Sequence, residues 1–391
     1  MLHTSFIELD EGALRNNIEF IKERLGPDVR YSMVIKANAY GHGIEEMIPA
    51  IEECGITHFS VFSTAEAMRA YKAKREQSEV MIMGWIDDDY LEWAIKNQIS
   101  FFVFTPERLR ATLRQAKKLD MKARIHLELE TGMFRTGFNE DQLPEVTELL
   151  LNKSRYLKLE GLCTHYAGAE DYNNYDRVQR QVTTFNRLCT MFENKQLRPT
   201  YKHSACSACL FNFPETISNM VRIGISSYGY WPNNETKMRF KMKHEIQGDP
   251  LDRILSWKSE VLSVNNVPEN EYVSYGKSFL TNRPSKIATV PVGYGYGFSR
   301  TLSNNGHVLV GGKRIPVIGA VNMNMMVLDV TDIDNIRVGD EVVLVGKQGH
   351  LEISISSFSD MNNSMNYELL TRLPHHIPRK MVGRRVLSNG F

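Results

Sequence analysis

The chain has 391 residues, of which 42% are hydrophobic and 24% charged, with a net charge of +1; this is the balance of a globular protein that can bury a large core. Near-neutral charge without a basic stripe argues against nucleic acid as a partner, and five cysteines in so long a chain argue against a disulfide framework and for a reducing compartment. No run approaches the roughly 18 apolar residues of a membrane helix, and the N-terminus lacks the basic-then-apolar pattern of a secretory signal, so a soluble cytoplasmic protein is expected.

In chain order, the first part alternates between apolar runs and amphipathic stretches. RYSMVI (30–35), THFSVF (57–62), EVMIMG (79–84) and SFFVF (100–104) read as strands. KARIHLEL (122–129), LKLEGLCTH (157–165), PTYKHSA (199–205) and MVRIGI (220–225) continue the series. Between them, IEEMIPAIEEC, PERLRATLRQAKKL after a capping Thr105, DQLPEVTELLL and YDRVQRQVTTFNRLCTMFENK have helical periodicity. Eight strands with helices between them predict an α/β chain with a parallel (β/α)8 TIM-type barrel; a doubly wound open sheet is the alternative. Later segments change in texture. ILSWKSEVLSV, SKIATVPVG, HVLVGGKRIPVIG, MNMMVLDV and DEVVLVG read as short antiparallel strands, and ISSFSDMNNSMNYELLTRL as a helix among them. The polar stretch KMRFKMKHEIQGDPLD (237–252) is the expected linker. The predicted organisation is a barrel over residues 1–240 followed by a mostly β domain over 241–391.

Active sites of such barrels lie at the C-terminal ends of the strands. Polar residues gather at that end of the predicted strands. Lys36 follows the first, Arg135 the fifth, and His165 closes the sixth; Ser207 follows the seventh, and Arg222, Gly224 and Ile225 belong to the eighth. Loops after the last two strands often hold phosphate through backbone N–H groups and small hydroxyls, which Ser207 and RIGIS supply. A lysine facing such a cradle suggests pyridoxal 5′-phosphate, an aldehyde that condenses with an amine and anchors by its phosphate. Each residue also has a plainer reading: Lys36 as a solvated charge, Arg135 as a surface arginine, His165 as a core histidine, Ser207 as a helix cap. Arg222 is harder to dismiss, because a buried charge needs a partner. Cys206 and Cys209 form C-x-x-C beside His203, but with no second pair at matching spacing this is a weak zinc or redox signal, and no metal is expected. The glycines of VGYGYGF do not open a helix, so a dinucleotide reading fails.

VIKANAYGHG (34–43) resembles the cofactor-lysine motif of bacterial alanine racemases, and ETGMFRTG, THYAGAED, HSACSAC, MVRIGISSYGY, YVSYGKSF, VPVGYGYGF and VIGAVNMNMMVLDV agree with that family in order and spacing. The resemblance implies a pyridoxal-phosphate-dependent barrel plus β domain, working as a head-to-tail homodimer with shared active sites, that racemises a small amino acid, alanine foremost, and supplies D-alanine for a cell wall. It implies that Lys36 carries the cofactor and acts as one catalytic base, and that Tyr275 is the other base, reaching the partner's site. Arg222 would face the pyridine nitrogen. Tyr40, Ser207, Gly224 and Ile225 would bind the phosphate. Arg135 and the Met323 N–H would hold the substrate carboxylate. His165 would pack beside the cofactor ring, and Tyr294 and Arg300 would line the access path.

Five positions depart from the family pattern. Glu128 stands where a lysine, often carbamylated, orients the active-site arginine, and is expected to supply that anion directly. His375 replaces a tyrosine of the C-terminal phosphate contact, with a charge that varies near neutral pH. Tyr296 and Asn324 replace aspartates, and Cys206 replaces an asparagine; these changes bear on substrate range, leaving a broader-specificity racemase open. Two other readings compete. A decarboxylase on the same fold would pair the pyridine nitrogen with an acid and keep a cysteine in the β domain, whereas Arg222 stands here and the last cysteine is Cys209. A non-catalytic cofactor carrier would resemble the barrel alone.

Overall fold

The structure, a computed structural model, describes residues 3–355 and 366–383. The chain divides into two compact units, one drawing on Met1–Gly12, Tyr40–Glu46 and Ile254–Phe391 and the other on Ala13–Ala39 and Met47–Arg253. The first strand of the chain, β1 (Ser5–Asp10), belongs to the former. The next eight strands build the latter. They are β2 (Arg30–Val34), β3 (His58–Val61), β4 (Glu79–Ile82), β5 (Ser100–Val103), β6 (Ala123–Glu128), β7 (Leu157–Cys163), β8 (Tyr201–His203) and β9 (Met220–Ile223).

These eight strands are all parallel, in the order β8-β7-β6-β5-β4-β3-β2-β9. The Arg222 N–H donates to Ala205 O at 3.0 Å, bringing the two edges of this sheet together into a near-closed barrel. Every predicted barrel strand is present, shortened at its ends; PTYKHSA keeps only Tyr201–His203. The expected cap at Thr105 forms: its side chain accepts the Arg108 N–H at 3.2 Å and starts the helix Pro106–Leu119. The expected linker, by contrast, is half helix. Asn233 caps the helix Asn234–Lys243 by accepting the Thr236 N–H at 2.7 Å. Phe240, hidden in a polar window, packs against Phe211 and Trp231 with ring centroids 5.2 and 5.4 Å away.

Apolar strands facing inward would fill such a barrel with branched side chains, yet this interior holds imidazoles. His126 Nδ1 and His203 Nε2 lie 2.8 Å apart, from strands separated by β7. Gly161 on β7 makes room for them, since a Cβ there would sit 2.1 Å from His126 Nδ1. His58 Nδ1 contacts Ser32 Oγ at 2.8 Å, which in turn meets Ser60 Oγ at 2.5 Å. Toward the strands' N-terminal ends, Arg124 pairs with Glu79 at 2.7 Å and with Glu160, and Arg30 reaches Glu79 at 3.4 Å.

In the β unit the strands are β10 (Leu255–Glu260), β11 (Ser263–Val267), β12 (Ser285–Val290), β13 (His307–Val310), β14 (Lys313–Ile318), β15 (Met326–Asp329), β16 (Glu341–Gln348), β17 (Leu351–Ile353) and β18 (Arg379–Val382). Their order is β11-β12-β15-β14-β13-β16-β10-β1-β18, with β17 on β16. All neighbours are antiparallel except β1 and β18. The Gly311–Gly312 pair, at φ 58° and 73°, makes the two-residue hairpin turn between β13 and β14. ILSWKSEVLSV is two strands rather than one, broken where Val261 N bonds Asp340 O and Leu262 N bonds Thr289 O. Of the predicted helix near the end, Asn366–Arg372 is helical; residues 356–365 lie outside the described residues.

Burial, with Arg30 and Arg124 nearby, pushes the His58 imidazole down to about 3. Burial likewise drives His126 and His203 well below the ordinary value. All three stay neutral in the fold and take up protons when the chain unfolds near their ordinary pKa of about 6.5. Stability is therefore full above that pH and falls as pH drops through it, with a slope approaching three protons from this set and a fourth from His165, which burial also pushes down to about 3, at about 1.4 kcal/mol per pH unit for each. Urea midpoints from pH 7.5 to 4.5 should show this; a flat dependence would contradict it.

Candidate active site

Lys36 leaves the end of β2 and is half-buried. The next four residues, Ala37 to Tyr40, all have φ between 51° and 55°, and ψ is near 50° for Ala37 to Ala39. This is a left-handed turn built without glycine, which costs an L-residue about 1–2 kcal/mol per position. The surroundings hold it. Ala39 N–H donates to Ile35 O at 2.9 Å, and Arg69 Nη2 donates to Asn38 Oδ1 at 2.7 Å. Glu66 accepts the Asn38 N–H at 3.4 Å while its other oxygen accepts the Phe62 N–H at 3.0 Å. Glu66 also closes the capping box with Ser63 that begins the helix Thr64–Ala73. Neither Glu66 nor Arg69 was singled out from sequence, although S-x-x-E is a readable capping signal.

The Lys36 amine is pushed below the ordinary lysine value, first by burial, then by Arg135 and Arg222, against the opposing pull of Glu66 and Cys206. Arg222 is 6% exposed. Its Nη2 donates to Thr164 O at 2.8 Å, and its Nη1 donates to His203 O at 2.8 Å and also meets His203 Nδ1. An arginine has only donors, so His203 Nδ1 accepts, which places the His203 proton on Nε2, facing His126. Among the described residues, three of the five guanidinium N–H donors are thus used, which leaves two for a ligand acceptor. His165, just past β7, is pushed down to about 3 by burial and by Arg222, Arg135 and Lys36, so it is a neutral imidazole.

The loop after β6 is organised by Glu130, another residue not foreseen. Its carboxylate accepts the Met133 and Phe134 N–H groups, both at 2.8 Å, and that of Gly132. This leaves Arg135 exposed on the loop. Glu128 is buried, and burial raises its carboxyl, opposed by a hydrogen bond with Thr136 and by the charges of Arg222 and Arg135. On the far side, Ser207 Oγ accepts the Gly224 N–H at 3.1 Å and the Ser226 N–H at 3.5 Å, joining the loop after β8 to the turn Ile225–Tyr228 after β9. The barrel unit alone therefore brings together Lys36, Glu128, Arg135, His165, Ser207, Arg222, Gly224 and Ile225.

Tyr40, Tyr275, Tyr294, Arg300, Met323 and His375 belong to the β unit. There, Tyr294 N–H donates to Asn322 O at 3.0 Å and Gly295 N–H to Met323 O at 2.9 Å. Gly293 permits this approach, because a Cβ would fall 2.0 Å from Asn322 O. Arg300 lies 6.0 Å from the Tyr294 ring. Ser274 Oγ donates to Ala320 O at 2.9 Å, placing Tyr275 on a loop beside the same segment. His375 is exposed, and its carbonyl accepts from Arg379 Nη1 at 3.1 Å; the neighbouring His376 packs edge-on to Tyr296 at 5.6 Å.

A half-buried rim lysine of depressed pKa, a hydroxyl-and-amide loop and a buried arginine with spare donors fit an anchored aldehyde cofactor. They fit the class of parallel-barrel enzymes that carry a lysine at the strand ends. Residues 9–232 match the alanine racemase N-terminal domain and residues 254–381 the alanine racemase C-terminal domain. The alanine racemase of Leptospira interrogans is 34% identical over 384 residues, 97% of this chain and 96% of that one. That of Methanococcus maripaludis is 34% identical over 377 residues, 96% and 98% of the two chains. Among solved structures, the alanine racemase of Bacillus anthracis with bound L-Ala-P has a TM-score of 0.88 at 28% identity, over 98% of this chain and 96% of that one. The alanine racemase of Bartonella henselae, with covalently bound pyridoxal phosphate, has a TM-score of 0.82 at 25% identity, over 97% and 100%. The chain belongs to the alanine racemase family, whose members are pyridoxal-phosphate-dependent isomerases.

The left-handed turn is testable at Ala37, which is exposed, so that substitution there acts through the backbone. Ala37→Gly should leave thermal stability unchanged or slightly raised, and Ala37→Val should lower it by about 1–2 kcal/mol. Equal stability of the two variants would contradict the strain.

Proposed function

We propose that this protein interconverts L- and D-alanine by moving the Cα proton between two bases, Lys36 and Tyr275, with pyridoxal 5′-phosphate as cofactor. The observation that carries the reading is the half-buried Lys36 amine, pushed down by burial and two arginines at the end of a barrel strand. An amine so placed is neutral at lower pH than an ordinary lysine, and can both attack an aldehyde and accept a proton. When bound, the cofactor supplies the electron sink that makes the substrate Cα–H acidic.

Ser207, Gly224 and Ile225 would hold the phosphate, joined by Tyr40 and His375. Arg222 would donate to the ring nitrogen. Because a guanidinium does not release its proton near neutral pH, Arg222 would leave that nitrogen unprotonated and limit the sink, which suits an enzyme that only moves protons. Arg135 and the Met323 N–H would bind the substrate carboxylate, with His165 beside the ring and Tyr294 and Arg300 on the access path. Inversion requires a proton to leave one face and return on the other, so a second base must stand opposite Lys36. Tyr275 is 75% exposed on a single chain, as expected of a side chain delivered to the site of a second copy in a head-to-tail homodimer. Glu128 would steady Arg135 by its charge, in place of a carbamylated lysine.

Incubating the cofactor-loaded protein with L-alanine in D2O should give Cα-deuterated alanine of both configurations. Lys36→Ala should abolish exchange, and Tyr275→Phe should cut it by orders of magnitude. Release of CO2 without D-isomer would overturn the reading. Glu128→Gln should raise the KM for alanine several-fold with a smaller change in kcat; an unchanged KM would remove Glu128 from the site.

A further inference from the structure

Cys206 and Cys209 are not used by the reaction above. Cys206 is the N-cap of the helix Ser207–Asn212 and Cys209 is one turn on, with the sulfurs 3.7 Å apart. Both are free thiols, Cys206 half-buried and Cys209 buried. The two differ in character. The Cys209 thiol donates toward Cys206, and with the Cys209 and Ala208 amides and the Arg222 charge it brings the Cys206 thiol down to about 6 despite burial. Cys209 is pushed well up, by the same contact and by burial. Burial also raises Cys163 far above the ordinary thiol value and Cys189 to about 12. A partly exposed thiolate beside a protonated second thiol is the arrangement of an attacking and a resolving cysteine.

We infer that Cys206 and Cys209 are an oxidisable dithiol, which a hydroperoxide closes to a disulfide that loosens the Ser207 loop. The Cys206 thiolate attacks the peroxide O–O bond, one oxygen stays on sulfur as a sulfenic acid, and the other leaves as alcohol or water after taking a proton. The Cys209 sulfur then attacks the Cys206 sulfur, a second water leaves with the Cys209 proton, and the two electrons lost by the sulfurs are those that reduced the peroxide. Forming the bond requires the sulfurs to approach by roughly 1.6 Å. Ser207 lies inside the turn that must tighten, and its Oγ is the acceptor for the Gly224 and Ser226 amides. This second half of the inference rests on the reading of Ser207 as a phosphate contact.

The test treats cofactor-loaded enzyme with stepwise hydrogen peroxide, alkylates the remaining thiols, and weighs the tryptic peptide 203–222, which holds both cysteines. The expected product is that peptide unalkylated and lighter by two hydrogens, restored by dithiothreitol, and formed at least tenfold faster than Cys163 or Cys189 is oxidised. In Cys209→Ala the peptide should instead yield a dimedone-trapped sulfenic acid. A peptide that keeps both alkyl groups, or that oxidises no faster than Cys163 and Cys189, overturns the dithiol, whether or not cofactor binds. Cofactor retained after gel filtration is read in parallel and should fall several-fold in the oxidised form. Disulfide formed with retention unchanged overturns the coupling to the loop. A reduced protein that never binds the cofactor counts against the proposed function, and the peptide mass still decides the dithiol.

Discussion

A buried cation that, among the described residues, hydrogen-bonds to no carboxylate sets the electrostatics of this barrel. Arg222 stands on the last barrel strand, and its hydrogen bonds go to two carbonyl oxygens and an imidazole. A buried charge held only by neutral groups costs free energy, and it projects its field through a medium of low polarizability. That field is felt throughout the unit. It helps keep His165, His203 and His126 neutral, lowers the Lys36 amine, and favours the ionised forms of Glu128 and Cys206. An aspartate at this position would reverse each of these effects.

The hydrogen-bond direction follows from the same residue. Because Arg222 only donates, the two interior histidines are oriented in series, each accepting on the side toward the arginine. Gly161 is the small residue that lets the pair meet, so a polar chain replaces part of the usual aliphatic filling. The acid sensitivity expected of the fold follows from keeping these imidazoles dry. Lys36 enters this field through a turn whose strained backbone is held by Glu66 and Arg69 rather than by glycine. Rigid placement of that kind suits the role proposed for Lys36, which is to meet both a cofactor and a substrate proton.

The barrel was legible because its strands are short apolar runs separated by periodic helices, and because unusual polar residues gather at one end of them. Lys36, Arg135, His165, Ser207 and Arg222 could be read that way. The β unit was legible as strands but not in full. β1 and β18 are mixed in polarity and gain their order by pairing across the length of the chain, which no local pattern records. The helix within 237–252 was hidden because one buried face, around Phe240, is outvoted by charge. Glu66 and Glu130 were missed for a related reason: their carboxylates serve backbone amides, and an acid that caps a turn looks like any surface acid until the turn is seen. The left-handed run at Ala37 to Tyr40 had only a weak signal, the smallness of three of the residues in K-A-N-A-Y-G.

Burial and the field around Lys36 are proposed to make it the reactive amine of this chain. Mixing the protein with pyridoxal 5′-phosphate, reducing with borohydride and mapping the pyridoxyl group by peptide mass tests this directly. The label is expected on Lys36, at one per chain, and should be lost in Arg222→Glu or when pH is lowered far enough to protonate the amine. Label spread over surface lysines, or carried by a different lysine while Lys36 stays bare, would contradict it.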